Sequence, residues 1–249
     1  MFATGPSVII VSHGQPSDPQ PAEDDLAALA GRVAGLLPDW QVDSATLAAD
    51  GALEAALARA GDTPFIYPLF MTDGWFVRSA LPKRLGGAAA HILPPLGAEP
   101  ALPDLVADIL LDELQERGWH AAQTNLLVAS HGSGRSPKSK QATEAFVDRL
   151  RQRISFAHVT TGYVEEAPFF ADVAMAAPSQ AICLPFFAAY GGHVKEDITE
   201  ALAAARFAGP FLDPIGTFDA VPALIADSLH RAAEGANQAR GASAERDSG

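Results

Sequence analysis

The sequence predicts an α/β protein made of two similar lobes, each a four-stranded parallel sheet flanked by helices. Two observations support this fold class. Short β-branched or apolar runs alternate with segments whose apolar residues recur at helical spacing, which is typical of parallel sheets covered by helices. The same series of motifs also occurs twice along the 249 residues. A chain of this length can form two lobes that each bury a core.

Three motifs define the repeat, because they recur at a nearly constant separation of 117 to 119 positions. We therefore expect an N-terminal lobe over residues 1–120 and a C-terminal lobe over 121–234. The segment 235–249 is rich in Gly, Ala, Ser and charge without periodicity, and we expect it to be disordered. The matched segments are 12–14 with 130–132, 67–78 with 184–196, and 95–97 with 214–216.

The first half begins with Ser-Val-Ile-Ile-Val-Ser at 7–12, a run typical of a buried parallel strand, followed by a loop at 13–16. Apolar residues at helical spacing predict a helix over 23–37, which Pro38 ends. The remaining elements expected in this half are strands at 41–47, 64–68 and 91–93 and helices at 53–60, 75–85 and 102–117.

The second half begins again with a strand at 125–130, followed by the loop that contains His131. Ligands of open parallel sheets bind beyond the carboxyl ends of the strands, where both histidine-glycine loops and both glycine-rich loops lie. We expect the two lobes to face each other across a cleft formed by these loops. The other elements expected are strands at 158–162 and 181–185 and helices at 138–153, 169–176, 193–205 and 221–233.

Composition excludes several classes of function. The formal net charge of −13 argues against nucleic acid as a partner, because its binders need a basic face. No apolar run approaches the roughly 20 residues of a membrane span, and no signal peptide precedes the first strand, so we expect a cytoplasmic protein without a membrane partner. Cys183 is the one cysteine; its strand context predicts core packing, and no disulfide framework or thiolate metal cage is available.

Three side chains of the second half follow predicted strands or glycines and can converge at one sheet edge: His131, Glu165 and His193. Taken alone, such a histidine as His131 or such a glutamate as Glu165 is more often structural or solvated, and His193 is as often a plain helix-start residue. His13 repeats the position of His131, and two glycines precede His193, which favours function. Two imidazoles and a carboxylate suit divalent cobalt, iron, nickel or zinc and leave positions open for a substrate.

Basic residues cluster near the same loops, although the chain as a whole is acidic. This clustering predicts recognition of a polycarboxylate substrate. Aromatic residues of the glycine-rich loops could press on a flat ligand, or could equally be ordinary core. The basic residues are Arg78, Lys83, Arg84, Arg135, Lys138, Lys140 and Lys195, and the aromatic residues include Trp75, Phe76 and Tyr190.

The segments 129–132, 162–168 and 184–198 resemble the class II tetrapyrrole chelatases, most closely the sirohydrochlorin cobaltochelatases and the related siroheme ferrochelatases. The resemblance covers about residues 6–234, and the segment Gly191-Gly192-His193 is its most specific part. It implies two α/β lobes with an active-site cleft between them, and insertion of a divalent metal into a tetrapyrrole without a nucleotide cofactor.

The resemblance also assigns residues. It implies that His131, Glu165 and His193 are catalytic residues and metal ligands, with Glu166 the less favoured alternative to Glu165. The first half retains His13 but has Phe76 in place of the second histidine, which implies a single catalytic set in the C-terminal lobe. The residues expected to bind the tetrapyrrole are His13, Trp75, Phe76, Arg135, Lys138, Tyr190, Gly191, Gly192 and Lys195.

We therefore expect a chelatase that inserts cobalt(II) into sirohydrochlorin, acting as a monomer or homodimer. One alternative is insertion of iron for siroheme, or of nickel into another modified tetrapyrrole, because His and Glu ligands do not separate these metals. Another is a non-catalytic carrier of metal or tetrapyrrole with the same fold. A histidine phosphatase is disfavoured, since serine rather than arginine precedes each histidine-glycine pair.

Overall fold

The structure is a computed structural model that describes residues 5–246. It divides into two compact units. Unit 1 contains the chain up to Leu69, Ser79–Pro94 and the C-terminal segment from Ala220. Unit 2 contains Phe70–Arg78 and Pro95–Asp219.

Unit 1 contains a parallel sheet in the order β2-β1-β3-β4. The side chains of Ile9, Val11 and Ile66 are fully buried and pack with Leu53 in its core. Such β-branched runs favour the strand conformation when both faces are covered. The strands are β1 Ser7–Ser12, β2 Gln41–Thr46, β3 Phe65–Pro68 and β4 His91–Ile92, and the helices are α1 Pro19–Leu36, α2 Ala52–Arg59, α3 Leu81–Arg84 and α8 Val221–Arg246.

Unit 2 contains a parallel sheet in the order β6-β5-β7. Its core includes Leu127, Phe170 and the sole cysteine, Cys183, whose burial confirms the expected packing role and raises the pKa of the thiol. The strands are β5 Asn125–Ser130, β6 His158–Tyr163 and β7 Ala181–Pro185, and the helices are α4 Leu102–Arg117, α5 Lys138–Arg153, α6 Phe170–Met175 and α7 Thr199–Ala204.

The predicted α/β class with two parallel, helix-flanked sheets is confirmed, with one difference in strand number. Where a fourth strand was expected in the second sheet, the described chain makes a single parallel bridge between Cys183 and Phe211. Pro210 and Pro214 flank this bridge, and proline has no backbone N–H to extend a ladder.

Two helices are exchanged between the sequence halves that we predicted as lobes, 1–120 and 121–234. Helix α4 comes from the first half but belongs to unit 2, where it packs against α5 and Asp104 pairs with Arg153 at 2.7 Å. Helix α8 comes from the second half but belongs to unit 1, where it packs against α1. Each compact unit therefore combines the strands of one half with the last helix of the other.

Helix α8 also extends into the segment 235–249, which the sequence analysis expects to be disordered. The structure has helix as far as Arg246, and residues 247–249 lie outside the described residues. Four of the twelve residues from 235 to 246 are Ala, and the two Arg, one Gln and one Glu there are also good helix formers, so helix propensity accounts for the difference.

The two glycine-rich loops are each followed by a π-helical turn, where the sequence predicted a continuous α-helix. These turns are Phe76–Ala80 and Val194–Ile198. They occupy matching positions in the repeat, and π-turns are frequent at functional sites. No helix within the described residues is both long enough and apolar enough to span a membrane.

Candidate metal centre

His131 lies directly after the buried strand β5, at the carboxyl edge of the unit 2 sheet. Gly132 follows with a φ of +71°, a conformation that favours glycine, and an added Cβ there would lie 2.9 Å from Cγ of Glu166. This turn places His131 Nδ1 2.8 Å from the carbonyl oxygen of Gly132. Because a carbonyl only accepts hydrogen bonds, Nδ1 carries the proton and Nε2 keeps a lone pair for a metal ion.

The segment after β6 determines the roles of the two adjacent glutamates. Its backbone continues beside the chain after β5, since the N–H of Glu165 donates to the carbonyl of His131 at 2.9 Å. Glu165 Oε2 then lies 3.8 Å from His131 Nδ1. Glu166 instead accepts a hydrogen bond from the backbone N–H of Ser133 at 2.8 Å. Glu165 thus faces the imidazole, and Glu166 holds the histidine-glycine loop.

His193 lies close to His131, in the segment that follows β7, the third strand of the unit 2 sheet. It follows Gly191 and Gly192 and opens the π-helical turn Val194–Ile198. Its ring lies 4.5 Å from that of His131, centroid to centroid, in a perpendicular arrangement. Its Nδ1 lies 2.8 Å from Oδ2 of Asp197. A carboxylate acceptor fixes the proton on Nδ1, so Nε2 of His193 is also free to bind metal.

His131, Glu165 and His193 together form a possible metal site. Each offers one ligand atom, and these atoms all lie within 4.8 Å of one another. Metal–ligand bonds of about 2.0–2.2 Å allow at most about 4.4 Å between two ligands of one ion, so small side-chain rotations are enough to close the site. The side chains are 45%, 48% and 38% exposed, respectively, which leaves the centre accessible to a substrate.

The loop that leads to His193 packs against a second glycine motif, the segment 214–216. The N–H of Gly216 donates to the carbonyl of Phe187 at 3.0 Å, and a Cβ at Gly216 would lie 2.1 Å from the carbonyl oxygen of Ala188. By contrast, a Cβ added at Gly191 or Gly192 would meet nothing within 4 Å. Packing requires glycine at 216, while the described chain leaves open space at 191 and 192.

The residues expected to bind a tetrapyrrole lie in several places. In unit 2, Trp75 is 66% exposed and packs edge-on against Phe76 at 5.1 Å. Tyr190 is half-exposed and donates its hydroxyl to Asp213; burial, together with that hydrogen bond, raises the pKa of Tyr190 to about 12. His13 belongs to unit 1. The binding roles of these residues remain predictions.

The basic residues near these loops divide into two groups. Some are engaged within the chain: Lys140 donates to the carbonyl of Ala167 at 3.3 Å, Arg78 pairs with Asp73, and Arg84 pairs with Glu54. Within the described residues, Lys83, Arg135, Lys138 and Lys195 are exposed and their side chains form no hydrogen bond or ion pair. The second group can meet a ligand without breaking existing contacts.

The first copy of the repeat preserves the loop and its histidine but not the other two candidate ligands. His13 Nδ1 lies 2.7 Å from the carbonyl of Gly14, whose φ is +74°. The N–H of Leu47 donates to the carbonyl of Ser12 at 2.9 Å, just as Val164 donates to Ser130 at 3.0 Å. Ala48 therefore stands where Glu165 stands in the second copy.

Comparison with known proteins gives two findings at the level of sequence. The family model CbiX matches residues 125–232. A probable sirohydrochlorin cobaltochelatase of Halobacterium salinarum is 22% identical over 166 residues, which are 56% of this chain and 56% of that protein. The match thus spans little more than half the length of the curated relative.

Solved structures extend the likeness over nearly the whole chain. The structure of CbiX, described as the terminal enzyme for biosynthesis of siroheme in denitrifying bacteria, is 47% identical, with a TM-score of 0.82 over 91% of this chain and 99% of that one. SirB from Bacillus subtilis, solved with Fe³⁺, shares the fold at 12% identity, with a TM-score of 0.71 over 91% and 95% of the two chains.

Paired parallel sheets, an internal repeat and an imidazole–carboxylate cluster at the strand ends are the features of a class II tetrapyrrole chelatase. The predicted resemblance is confirmed by the 47% identity over almost the full length. The chain belongs to the CbiX family.

Proposed function

We propose that the protein is an enzyme that inserts a divalent metal ion into sirohydrochlorin. The observation that carries this proposal is the cluster of His131, Glu165 and His193, whose ligand atoms lie within 4.8 Å of one another at the carboxyl edge of a parallel sheet. Membership of the CbiX family and the sirohydrochlorin cobaltochelatase relative support the substrate.

The donor set suits the chemistry of metal insertion. The reaction removes two N–H protons from the macrocycle and transfers a partly dehydrated cation to its nitrogens. Two neutral imidazoles and one carboxylate hold a divalent ion without the tight thiolate bonding that would oppose its release. Once the ion begins to move to the macrocycle, the freed Nε2 atoms can accept the departing protons.

Local charge supports an anionic substrate. Sirohydrochlorin carries several carboxylates, and a chain with a net charge of −13 repels it unless cations lie near the site. Arg135 and Lys138 follow the His131 loop, and Lys195 follows His193. We propose that these exposed cations pair with substrate carboxylates.

The glycine pair before His193 supports close approach of a bulky ligand. Neither a positive φ nor packing requires glycine at 191 or 192. The open space next to this backbone matches the need for a broad macrocycle to reach His193. We propose that Trp75 and Tyr190, which are both exposed in unit 2, contact the same ligand.

The preferred metal is the finer part of the proposal. The halobacterial relative favours cobalt(II), the metal expected from the sequence. The CbiX relative described with siroheme, an iron tetrapyrrole, favours iron(II), and its identity is 47% against 22% over a larger part of the chain. We therefore propose iron(II) as the preferred ion and cobalt(II) as the second candidate.

A metal-competition assay tests this proposal. Apo-protein is mixed anaerobically with sirohydrochlorin and with iron(II), cobalt(II) or nickel(II), and insertion is followed by the visible spectrum. We expect acceleration over the protein-free rate, with the largest kcat/KM for iron(II). Tight binding of sirohydrochlorin without acceleration would instead indicate a carrier, and a larger kcat/KM for cobalt(II) would reverse the metal preference.

A further inference from the structure

Asp197 is the one residue at the metal centre that the sequence analysis did not single out. It lies four positions after His193, on the same π-helical turn, and its Oδ2 is 2.8 Å from His193 Nδ1. Within the described residues no Lys or Arg pairs with this carboxylate, so its ion pair is with an imidazole alone. A carboxylate bound to the far nitrogen of a metal-binding imidazole fixes the tautomer and makes the other nitrogen a better ligand.

We propose that Asp197 is a positioning residue that acts through His193. It holds the proton on Nδ1 and fixes the orientation of the ring, which leaves the Nε2 lone pair available for the metal ion. This inference rests on the proposed function, since it gives Asp197 a role in the same metal site.

The first copy of the repeat provides an internal comparison for this pair. Phe76 stands at the position of His193, and Ala80 stands at the position of Asp197, on a π-helical turn of the same kind. The turn is therefore formed without the pair, so the backbone does not need Asp197. The imidazole and the carboxylate are present together in one copy and absent together in the other.

Glycines that the backbone conformation requires are distributed differently from Asp197 between the two copies. Gly14 and Gly132 both have a positive φ, and Gly97 and Gly216 both lie too close to a carbonyl to carry a Cβ. These glycines are kept in both copies, as folding requires. Asp197, like Glu165 and His193, is replaced in the first copy, whereas the glycines required for folding are kept, which supports a role for Asp197 in the site.

The test measures cobalt(II) binding to the apo-protein through its ligand-field absorption, without any tetrapyrrole. Asp197→Ala is expected to weaken binding by about 10- to 100-fold, the range for losing a partner of a metal-binding histidine. Asp197→Asn is expected to lose less, because its amide oxygen still accepts from Nδ1. Glu196→Ala is the matched control: it removes a neighbouring exposed carboxylate, and its affinity should stay within about twofold of the wild type.

A double-variant comparison separates action through His193 from an independent effect. In a His193→Ala background, adding Asp197→Ala should change cobalt(II) affinity by less than about twofold, since the imidazole it orients is gone. An equal loss in both backgrounds would overturn the proposal. So would wild-type affinity of Asp197→Ala, or an equal loss in Glu196→Ala.

The outcomes also separate this inference from the proposed function. If the wild-type protein binds cobalt(II) and inserts metal while Asp197→Ala behaves like the wild type, only the positioning role fails. If the wild-type protein binds no cobalt(II), both the site and the role of Asp197 are wrong. Melting temperatures of all variants, expected to be unchanged because these side chains are exposed, exclude misfolding as the cause of a loss.

Discussion

The two histidine-glycine loops of this chain share a backbone and differ in what surrounds the imidazole. In both, the histidine Nδ1 lies next to the carbonyl of the following glycine, at 2.7 Å for His13 and 2.8 Å for His131. The second loop faces Glu165 and His193, whereas the positions that match these residues in the repeat hold Ala48 and Phe76. The backbone geometry and the histidine are thus common to both copies, and two of the three candidate metal ligands, Glu165 and His193, are present in the second copy alone.

The comparison shows which parts of a duplicated element serve the fold. Gly14 and Gly132, which have a positive φ, and Gly97 and Gly216, which lie against a carbonyl, are retained in both copies because a side chain there would strain the turn. Of the three candidate metal ligands, Glu165 and His193 are replaced in the first copy, whereas His131 is retained as His13. The repeat therefore points to two of the three candidate ligands without any alignment to other proteins.

The largest effect should come from replacing either imidazole of the second copy. We expect His131→Ala to lower metal-insertion turnover at least about 100-fold, as for loss of a ligand or proton acceptor. We expect the same loss in His193→Phe, which introduces the residue found at the equivalent position of the first copy. His13→Ala should lower turnover much less. Steady-state insertion kinetics measure this, and a comparable loss in His13→Ala would mean that the first copy also takes part in catalysis.

A smaller contrast is expected between the adjacent glutamates. Glu165→Gln removes the charged ligand and should lower kcat by about 10-fold or more. Glu166→Gln retains an acceptor for the N–H of Ser133 and should keep most activity, whereas Glu166→Ala should lower the free energy of unfolding by about 1 kcal/mol. Insertion rates measure the effect on kcat, and urea unfolding measures the effect on stability. A larger loss of kcat in Glu166→Gln than in Glu165→Gln would indicate that Glu166, and not Glu165, is the metal ligand.

The smallest effect concerns Tyr190, whose position in the first copy is held by Asp73. Its pKa is raised from 10.0 to about 12 by burial and by its hydrogen bond to Asp213. The folded state therefore holds this proton more tightly than the unfolded state, so stability present below pH 10 is lost as the pH rises toward 12. Between pH 9 and 12, the free energy of unfolding, measured with denaturant, should fall more steeply with pH for the wild type than for Tyr190→Phe. An equal pH dependence in the two proteins would contradict the raised pKa of Tyr190.

The same raised pKa keeps Tyr190 protonated at neutral pH, so it cannot act as the proton acceptor. The pH–rate profile of Tyr190→Phe should accordingly follow that of the wild type below pH 9. A changed profile in this range would show that Tyr190 affects a titrating group of the reaction.

Sequence patterns predicted most strands and helices of the fold, because apolar spacing directly reflects burial. The bounds of α4, α5, β5 and β7 agree with the predictions residue for residue. The exchange of α4 and α8 could not be predicted, since an apolar helix face does not specify which sheet it covers. In unit 2, Pro210 and Pro214 flank the single bridge that stands in place of the expected fourth strand. Whether a proline interrupts a strand ladder depends on the pairing register, which the sequence does not give.

At the metal centre, the sequence predicted the residues that the structure brings together but not their partners. Glu165 and Glu166 are adjacent in a loop, and only the hydrogen bond from Ser133 to Glu166 separates their roles. From the sequence alone, Asp197 cannot be distinguished from an ordinary charged residue at the start of a helix. Its contact with His193 is visible only in the structure. Comparing the two copies position by position would have shown Ala80 opposite Asp197, which is the signal that could have identified it.

The exchange of the two helices affects the order in which the chain can fold during synthesis. The strands of unit 1 leave the ribosome first, but α8, which belongs to that unit, is among the last segments to emerge. Unit 2, although its strands come later, has all of its segments once Asp219 is made. The unit that holds the candidate metal ligands can therefore be completed before the one that begins the chain, and unit 1 remains without the helix that packs against α1 until the end of synthesis.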